Sequence, residues 1–550
     1  MSSHFLSDRI YFFLFSLLGL VYIAGLFVPL MDNDAAHHAN IALHMYLNRD
    51  YVNLIDNGKD YLDKPHLHFW LCAFCYKIFG VTTFAYKFPS FLFTIIGTYS
   101  SYRLGKALYN DEVGKLAALI VSSAFAYMLA NTDVRMDAIL TACVAFSTWQ
   151  GVEFVQRQKI LSAIGLALGL ALGFSTKGHI AVFTPAIGIF FYILYRKDWK
   201  LFRNWKWLLV LFAFSVFIFP VVYCYYLQFN LHPEKLVRGK DHINGVKFIL
   251  FGQSVERFRG DSFGGNLKND HLFFFHSFLW AFAPWSILTY VAVVNRIKHF
   301  LKRKEEWLTP ATVSVIALVL SFSGFKLPHY LNIVFPASSV MIASWLLQHS
   351  LKPKIIYTIQ LIVCFLILSL ITVLNAWAFP PKNSLIVIVV VLLLASVFYY
   401  LLSRRLAWLQ KAIVVSVSTM ILSFFLLNTN FYPQLLTYQG GNELTKKIKG
   451  NVEPANIYFW KENYSSSFCF YTATERKSFY DSLFLKGKRP IWLLFDKRHL
   501  NEINQAGYKI GLTYTSPDYE ITKLDLKFIN PSTRKNKLTE MVIGEITVKQ

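Results

Sequence analysis

The 550-residue chain is 55% hydrophobic and 17% aromatic with only 16% charged residues, and its mean hydropathy of +0.40 excludes an ordinary soluble domain and points to a polytopic membrane protein. Its formal net charge is +23, from 55 Lys and Arg against 32 Asp and Glu. Because these cations cluster between apolar runs, the charge reads as membrane topology and not as a nucleic-acid surface.

Windows of about 20 apolar residues fall near 10–30, 84–103, 115–132, 137–155, 161–175, 179–195, 207–228, 271–294, 309–323, 329–348, 355–377, 383–402 and 411–428, thirteen candidate spans of which the fifth is short. The first shows no small-residue cleavage site, so it reads as a retained span and not a signal peptide. Alternate connections are basic: Arg103, Lys106 and Lys115; Arg157 and Lys159; RKDWKLFRNWK at 196–206; NRIKHFLKRK at 295–304; Lys352 and Lys354; SRRLAWLQK at 403–411. The short connections between them carry one basic residue each, Arg135, Lys177, Lys326 and Lys382. That alternation predicts a cytoplasmic amino terminus, outer loops at 31–83 and 229–270, and an outer tail from 429. The tail changes character, with short β-branched or aromatic runs at 456–462, 467–473, 489–496 and 508–515 that predict a small α/β domain over 429–550, following a membrane domain over 1–428. Six cysteines are scattered, and the one CxxC, Cys72 and Cys75 in LCAFCYKIF, has no second pair to make a metal or redox site of it. No fixed-period repeat or low-complexity linker stands out.

Charge gathers on the predicted outer face. MDNDAAHHANIALHM at 31–45 sets Asp32, Asp34 and three histidines just beyond the first span. Asp34 and His38 would share a helix face continued by Ile41 and Met45, with Asp32 or Asp34 as the helix cap. YLDKPHLHFWL at 61–71 places Tyr61, Asp63 and Lys64 before a proline-initiated amphipathic helix. NTDVRMDAIL brings Asp133, Arg135 and Asp137; FSTKGHIAVF brings Lys177; FSGFKLPHYLNIVFP brings Lys326, His329 and Tyr330. Any one of these could be a residue snorkelling to the interface, but together they set cations, Lys64, Lys177, Arg257, Arg259 and Lys326, around a few carboxylates. Interfacial cations among apolar helices suit a phosphate carried on a lipid tail. A carboxylate beside such a phosphate needs another task, as general base, sugar ligand or metal ligand.

At these residues the sequence resembles the GT-C superfamily of protein O-mannosyltransferases and aminoarabinose (lipid A) transferases. MDNDAAHHANIALHM is similar to its first outer-loop motif, Asp34 matching the motif's Asp by its spacing to Met45, with Ala35 where Glu is common. YLDKPHLHFWL resembles Y-L-(E/D)-K-P-P-L-x-(Y/F)-W with His66 at the second Pro. LGLALGFSTKGHIAVFTP resembles L-G-x-x-x-L-T-K-G-P with His179 at the Pro, and GQSVERF at 252–258, PWS at 284–286 and SGFKLPHYLNIVFP fit later motifs. The resemblance covers roughly residues 10–350.

It implies an all-α polytopic GT-C membrane protein of about 13 spans with a small α/β extracytoplasmic domain, in which the loop at 229–270 gates substrate. The implied activity is glycosyl transfer from a polyprenyl (undecaprenyl) phosphate-linked donor, in a bacterial inner membrane, to lipid A, another envelope glycan or a protein hydroxyl. Asp34 would act at the acceptor and sugar, Lys64 and Arg257 would bind the donor phosphate, and Tyr61, Asp63, Asp137, Lys177, Lys326 and Tyr330 would bind substrate. Transfer would be a direct displacement with inversion, by a monomer. Some relatives place a metal here; Asp63 could be a ligand, but Gly252, Gln253 and Ser254 offer no histidine as a second, so no metal is assigned and a divalent ion stays open. A lipid-sugar transporter would also need many spans, yet would set ionisable residues at mid-membrane and show internal repeats. No nucleotide fingerprint is present.

Overall fold

The computed structural model describes residues 5–259, 270–300, 305–349, 352–402, 406–461, 464–480 and 490–549. Parts of the predicted gating loop (260–269), of the basic clusters at 295–304 and 403–411, and of the runs at 456–462 and 489–496 lie outside these residues.

The chain opens with α1 (Asp8–Gly25), α2 (Asp34–Asn48), the hairpin β1 (Ile55–Asp56) and β2 (Lys59–Asp60), and α3 (Leu67–Phe79). The helical bundle continues through α4 (Thr83–Leu108), α5 (Asp111–Ser122), α6 (Phe125–Thr132), α7 (Asp137–Arg157), α8 (Ile160–Lys177), α9 (Ile180–Arg196) and α10 (Lys206–Tyr225). After a long connection holding α11 (Gly245–Lys247) and α12 (Gln253–Arg259) come α13 (Phe273–Ala281), α14 (Ser286–Lys298), α15 (Leu308–Ser321), α16 (Phe335–His349), α17 (Pro353–Thr372), α18 (Ser384–Leu402) and α19 (Trp408–Leu426).

Helix occupies all thirteen apolar windows, but not every window holds a single helix long and apolar enough by itself to span a bilayer. Among the described residues eight helices are long and apolar enough to span a bilayer, or nine if α5 and α6, bent by 55°, form one span. The others fall short for visible reasons. α9 and α15 have 17 and 14 residues, and the window at 271–294 is broken between α13 and α14. α4 carries Lys87, which is fully buried and donates to the carbonyls of Gly25 (3.1 Å), Val28 (2.6 Å) and Thr132 (2.6 Å). It thereby satisfies carbonyls that the ends of α1 and α6 leave without helical donors.

Each helix buries what its sequence lets it bury. α1 turns Tyr11, Leu14, Leu18, Val21 and Tyr22 inward at helical spacing while Phe12 stays 77% exposed. α18, apolar all round, buries nothing, as expected of a helix whose whole surface suits lipid. α4 and α5 approach at backbone distance: a β-carbon on Gly114 would stand 2.5 Å from the Tyr102 carbonyl oxygen, the small-residue contact that membrane helices favour.

Helix continues past 428 to Tyr438, so the tail begins about ten residues later than hydropathy suggested. It contains a helix at Gly440–Ile448 and a four-stranded sheet of order β3-β4-β6-β5, where β3 (Ile457–Phe459) is parallel to β4 (Ile491–Asp496), and β6 (Thr539–Lys549) lies antiparallel to β4 and to β5 (Tyr508–Asp518). The run at 467–473 is not the expected strand. It is helix Ser466–Thr472, because Ser465 caps it by accepting from the Phe468 amide at 3.3 Å.

This domain grips α2. Asp32 accepts from the hydroxyls of Ser465 (2.6 Å) and Ser467 (3.0 Å), Asn40 donates to the Ser466 carbonyl (2.8 Å), and His44 and Asn48 both meet Glu475 at 2.5 and 2.7 Å.

Candidate functional site

Four chain junctions converge at one end of the bundle: the turn after α1, the turn between α6 and α7, the tight junction of α8 with α9, and the segment after α15. Asp34 is the first residue of α2, capped by neither aspartate but by Asn33, whose side chain accepts from the Ala35 amide at 2.8 Å. Freed from capping, Asp34 faces the cavity with its side chain 53% exposed and takes Arg135 Nη1 at 3.3 Å. Arg135 is held in turn by Asp133, its Nη2 at 3.0 Å from Oδ2.

Asp137 opens α7 and Lys177 closes α8, each at the helix end whose dipole favours its charge, and they pair at 2.7 Å. The chain leaves α8 through Gly178 at φ 76°, where a β-carbon would meet Gln253 Oε1 at 2.4 Å. Tyr330 lies under Lys177, 4.8 Å from ammonium to ring centre, and its hydroxyl accepts from Arg257 Nη1 at 3.4 Å.

Lys64 and Arg257 differ from Arg135 and Lys177, since among the described residues neither has a carboxylate at salt-bridge distance. Burial and then the charges of Arg257 and Lys177 hold the Lys64 ammonium well below the ordinary lysine range. Lys64 and Arg257 are thus the cavity cations that no carboxylate among the described residues holds. Two cavities meet there. A polar one of about 200 Å³ is lined by Asp34, Tyr61, Lys64, Arg135, Asp137 and His329, among others. An apolar one of about 370 Å³ runs between Leu140, Ile180, Phe183, Phe258 and Val319. Lys177, Arg257 and Tyr330 line both.

Of the expected residues, Asp34, Tyr61, Asp63, Lys64, Asp137, Lys177, Arg257 and Tyr330 all line the polar cavity. Lys326 does not: it is buried and donates to the Asp270 carbonyl at 2.8 Å, while its neighbours Phe325 and Leu327 form the wall. Arg259 lines only the apolar cavity. His66 is a scaffold residue hydrogen-bonded to the Val52 carbonyl at 2.8 Å, and His179 meets Ser254 at 2.9 Å, tying α9 to α12. Asp32 looks away from the cavity into the carboxy-terminal domain. Arg135 carries a larger role than its cluster suggested, and its position between two aspartates in NTDVRMD was the available signal. Arg238, paired with Asp63 and, at 3.0 Å, with Glu256, had no signal in the sequence.

A metal at Asp63 does not fit these residues. The carboxylate is engaged by the Arg238 guanidinium, Gln253 turns its amide to the Asp63 carbonyl at 2.5 Å, and among the described residues no three His, Cys, Asp or Glu side chains cluster so as to hold an ion.

Residues 63–223 match the family model of dolichyl-phosphate-mannose-protein mannosyltransferases. Among curated proteins the chain is 25% identical over 332 residues to the undecaprenyl phosphate-alpha-4-amino-4-deoxy-L-arabinose arabinosyl transferase of Wigglesworthia glossinidia brevipalpis, covering 59% of this chain and 56% of that one. It is 24% identical to the protein of the same name from Pseudomonas aeruginosa, covering 56% and 53%, so it spans little more than half the length of these relatives. It is also 24% identical to an uncharacterised protein of Aquifex aeolicus over 64% of this chain and 67% of that one. The crystal structure of ArnT from Cupriavidus metallidurans bound to undecaprenyl phosphate superposes with a TM-score of 0.75 at 15% identity, covering 98% of each chain. Its apo form gives 0.71 at 16% identity over 97% of each. The polytopic helical fold with its small sheet domain is thus the fold of those structures.

Proposed function

We propose that this chain is a glycosyltransferase of the GT-C superfamily that includes the protein mannosyltransferases and aminoarabinose transferases, and that it transfers a glycosyl group from a polyprenyl-phosphate donor, undecaprenyl phosphate in a bacterium, to lipid A or another envelope glycan. The amino terminus would be cytoplasmic and the domain after Tyr438 periplasmic.

The observation that carries the proposal is the shared wall of the two cavities. A lipid phosphate has to meet hydrocarbon on one side and cations on the other, and Lys177, Arg257 and Tyr330 stand at that boundary. The prenyl chain lies in the apolar cavity, the phosphate meets Arg257 and Lys64, and the sugar projects toward Asp34.

In transfer, the bond from the anomeric carbon to the phosphate oxygen breaks as the acceptor oxygen bonds the opposite face of that carbon. Charge grows on the departing phosphate, and cations already fixed in a low-dielectric pocket stabilise it without reorganising. Lys64 and Arg257, having no carboxylate partner to give up, suit that task. A hydroxyl acceptor loses its proton to Asp34, which Arg135 orients; a phosphate acceptor needs only to be positioned.

The test is transfer of labelled sugar from synthetic undecaprenyl-phosphate sugars to lipid A in membranes holding matched amounts of the wild type, Asp34→Ala or Lys64→Ala. Transfer that needs both residues supports the proposal, and transfer to a protein hydroxyl in place of lipid A changes only the acceptor. No transfer from any donor, with tight lipid binding that survives both changes, would identify a transporter instead.

A further inference from the structure

Lys64 and Arg257 each follow an acid in sequence, as Asp63-Lys64 and Glu256-Arg257. The two dipeptides come from segments almost 200 residues apart, and one side chain joins them. Arg238 Nη2 pairs with Asp63, and its Nη1 pairs with Glu256 at 3.0 Å. Resting on the proposed lipid-phosphate reading, we infer that Arg238 is the positioning residue of the site: it fixes the two phosphate-binding cations by clamping the acid beside each, and it supplies the positive charge that Asp63 would otherwise seek from a metal ion.

The local backbone is built to present this guanidinium. Arg238 and Gly239 both have positive φ, 54° and 75°, and Val237 and Lys240 exchange backbone hydrogen bonds at 2.8 and 3.1 Å. That is a two-residue hairpin turn of the kind that favours Asn or Gly at its first central position; an arginine with its β-carbon is held there in a left-handed conformation. The guanidinium carbon lies 5.6 Å from the centre of the Phe248 ring, and α12 is tied to the same target a second time by Gln253 bonding the Asp63 carbonyl.

The charges show what the clamp accomplishes. Asp63 lines the polar cavity beside Lys64, where a bare carboxylate would repel an incoming phosphate. A fork with two donor nitrogens can pair with two carboxylates at once and fix their directions, whereas a lysine ammonium acts as a point charge. Removing Arg238 would both release the two cations from their common anchor and expose two like charges to the anion.

The experiment measures binding of undecaprenyl phosphate and of neutral undecaprenol to the full-length protein in nanodiscs, for the wild type, Arg238→Ala, Arg238→Lys, and Arg238→Ala combined with Asp63→Asn and Glu256→Gln. Arg238→Ala should weaken the phosphate lipid by roughly tenfold, the loss of one charge-assisted contact, and leave the neutral lipid unchanged. Arg238→Lys should fall between, and the triple variant should recover most of the loss, a rescue that a merely structural role does not give. If Arg238→Ala does not fold, the lysine and triple variants still order the series. Transfer by the wild type should be indifferent to EDTA. Phosphate-lipid binding equal in wild type and Arg238→Ala would overturn the clamp, and so would a divalent-metal requirement abolished by Asp63→Asn. A wild type that ignores both lipids would instead sink the lipid-phosphate reading on which the clamp depends.

Discussion

Helix α15 has an ion cluster at each end, about 21 Å apart by helical rise, and the two are built on opposite principles. Before its first turn, Arg296, with its side chain 6% exposed, pairs with Glu305 and lies 3.6 Å from Glu306. Tyr109 donates to Glu306 at 2.8 Å, and Glu306 accepts from the Thr309 amide at 2.9 Å. Both carboxylates there share the one guanidinium of Arg296. Beyond its last turn lies the site, where Lys177 pairs with Asp137 and Arg135 with both Asp133 and Asp34, but among the described residues Lys64 and Arg257 have no carboxylate partner. A closed set of charges is scaffold, and an open one is where an ionic ligand belongs.

The sharpest way to break this contrast is to open the closed set. Arg296→Met leaves two glutamates buried without their cation, which should cost about 3–5 kcal/mol, read as a large fall in the melting temperature of the detergent-solubilised protein. The matching change in the open set should do the reverse. Lys64→Ala should cut transfer by about 10²–10³-fold, as loss of a preorganised charge donor does, without lowering the melting temperature, because it removes a cation that burial and two neighbouring cations already disfavour. A Lys64→Ala protein that melted as early as Arg296→Met would mean that Lys64 is also scaffold.

A smaller effect tests the grip of the carboxy-terminal domain on α2. Asp32→Ala strands the hydroxyls of Ser465 and Ser467, at about 1–3 kcal/mol. The expected result is faster proteolytic release of the domain together with a lower rate of transfer, since the helix that begins with Asp34 loses its outer support. Transfer unaffected by that release would show that α2 holds its own position.

Much of this was legible in the sequence, and what was not has identifiable causes. Apolar windows located the helices because burial in lipid is a property of composition, but they could not tell a crossing from a short or bent helix such as α5 with α6. Motif spacing singled out Asp34 and Lys64, and both line the polar cavity. Asp32 and Asp34 look alike in the sequence, and only the cap at Asn33 sends one to the cavity and the other to the sheet domain. Lys64 and Lys326 both precede a proline-bearing turn; what separates them is the Asp270 carbonyl, which occupies Lys326, while Lys64 lines the polar cavity. Arg238 lies in a loop with no motif, and its importance depends on two acids that only the fold brings together.

The open set also carries a pH signature that the closed set lacks. Lys64 has a folded pKa below its ordinary value, mainly through burial, so the unfolded chain binds its proton more tightly than the folded one. Between that lowered value and the ordinary lysine range near about 10.4, stability of the lipid-free protein should therefore rise with pH. Binding of a phosphate lipid needs the ammonium charged, so across the same window affinity should fall. One residue then gives two slopes of opposite sign. Melting temperatures measured across this range with and without undecaprenyl phosphate should converge as pH rises. In Lys64→Arg, whose guanidinium keeps its charge throughout, the gap between the two curves should stay constant in that window. A gap in the wild type that also held constant would show that Lys64 does not meet the phosphate.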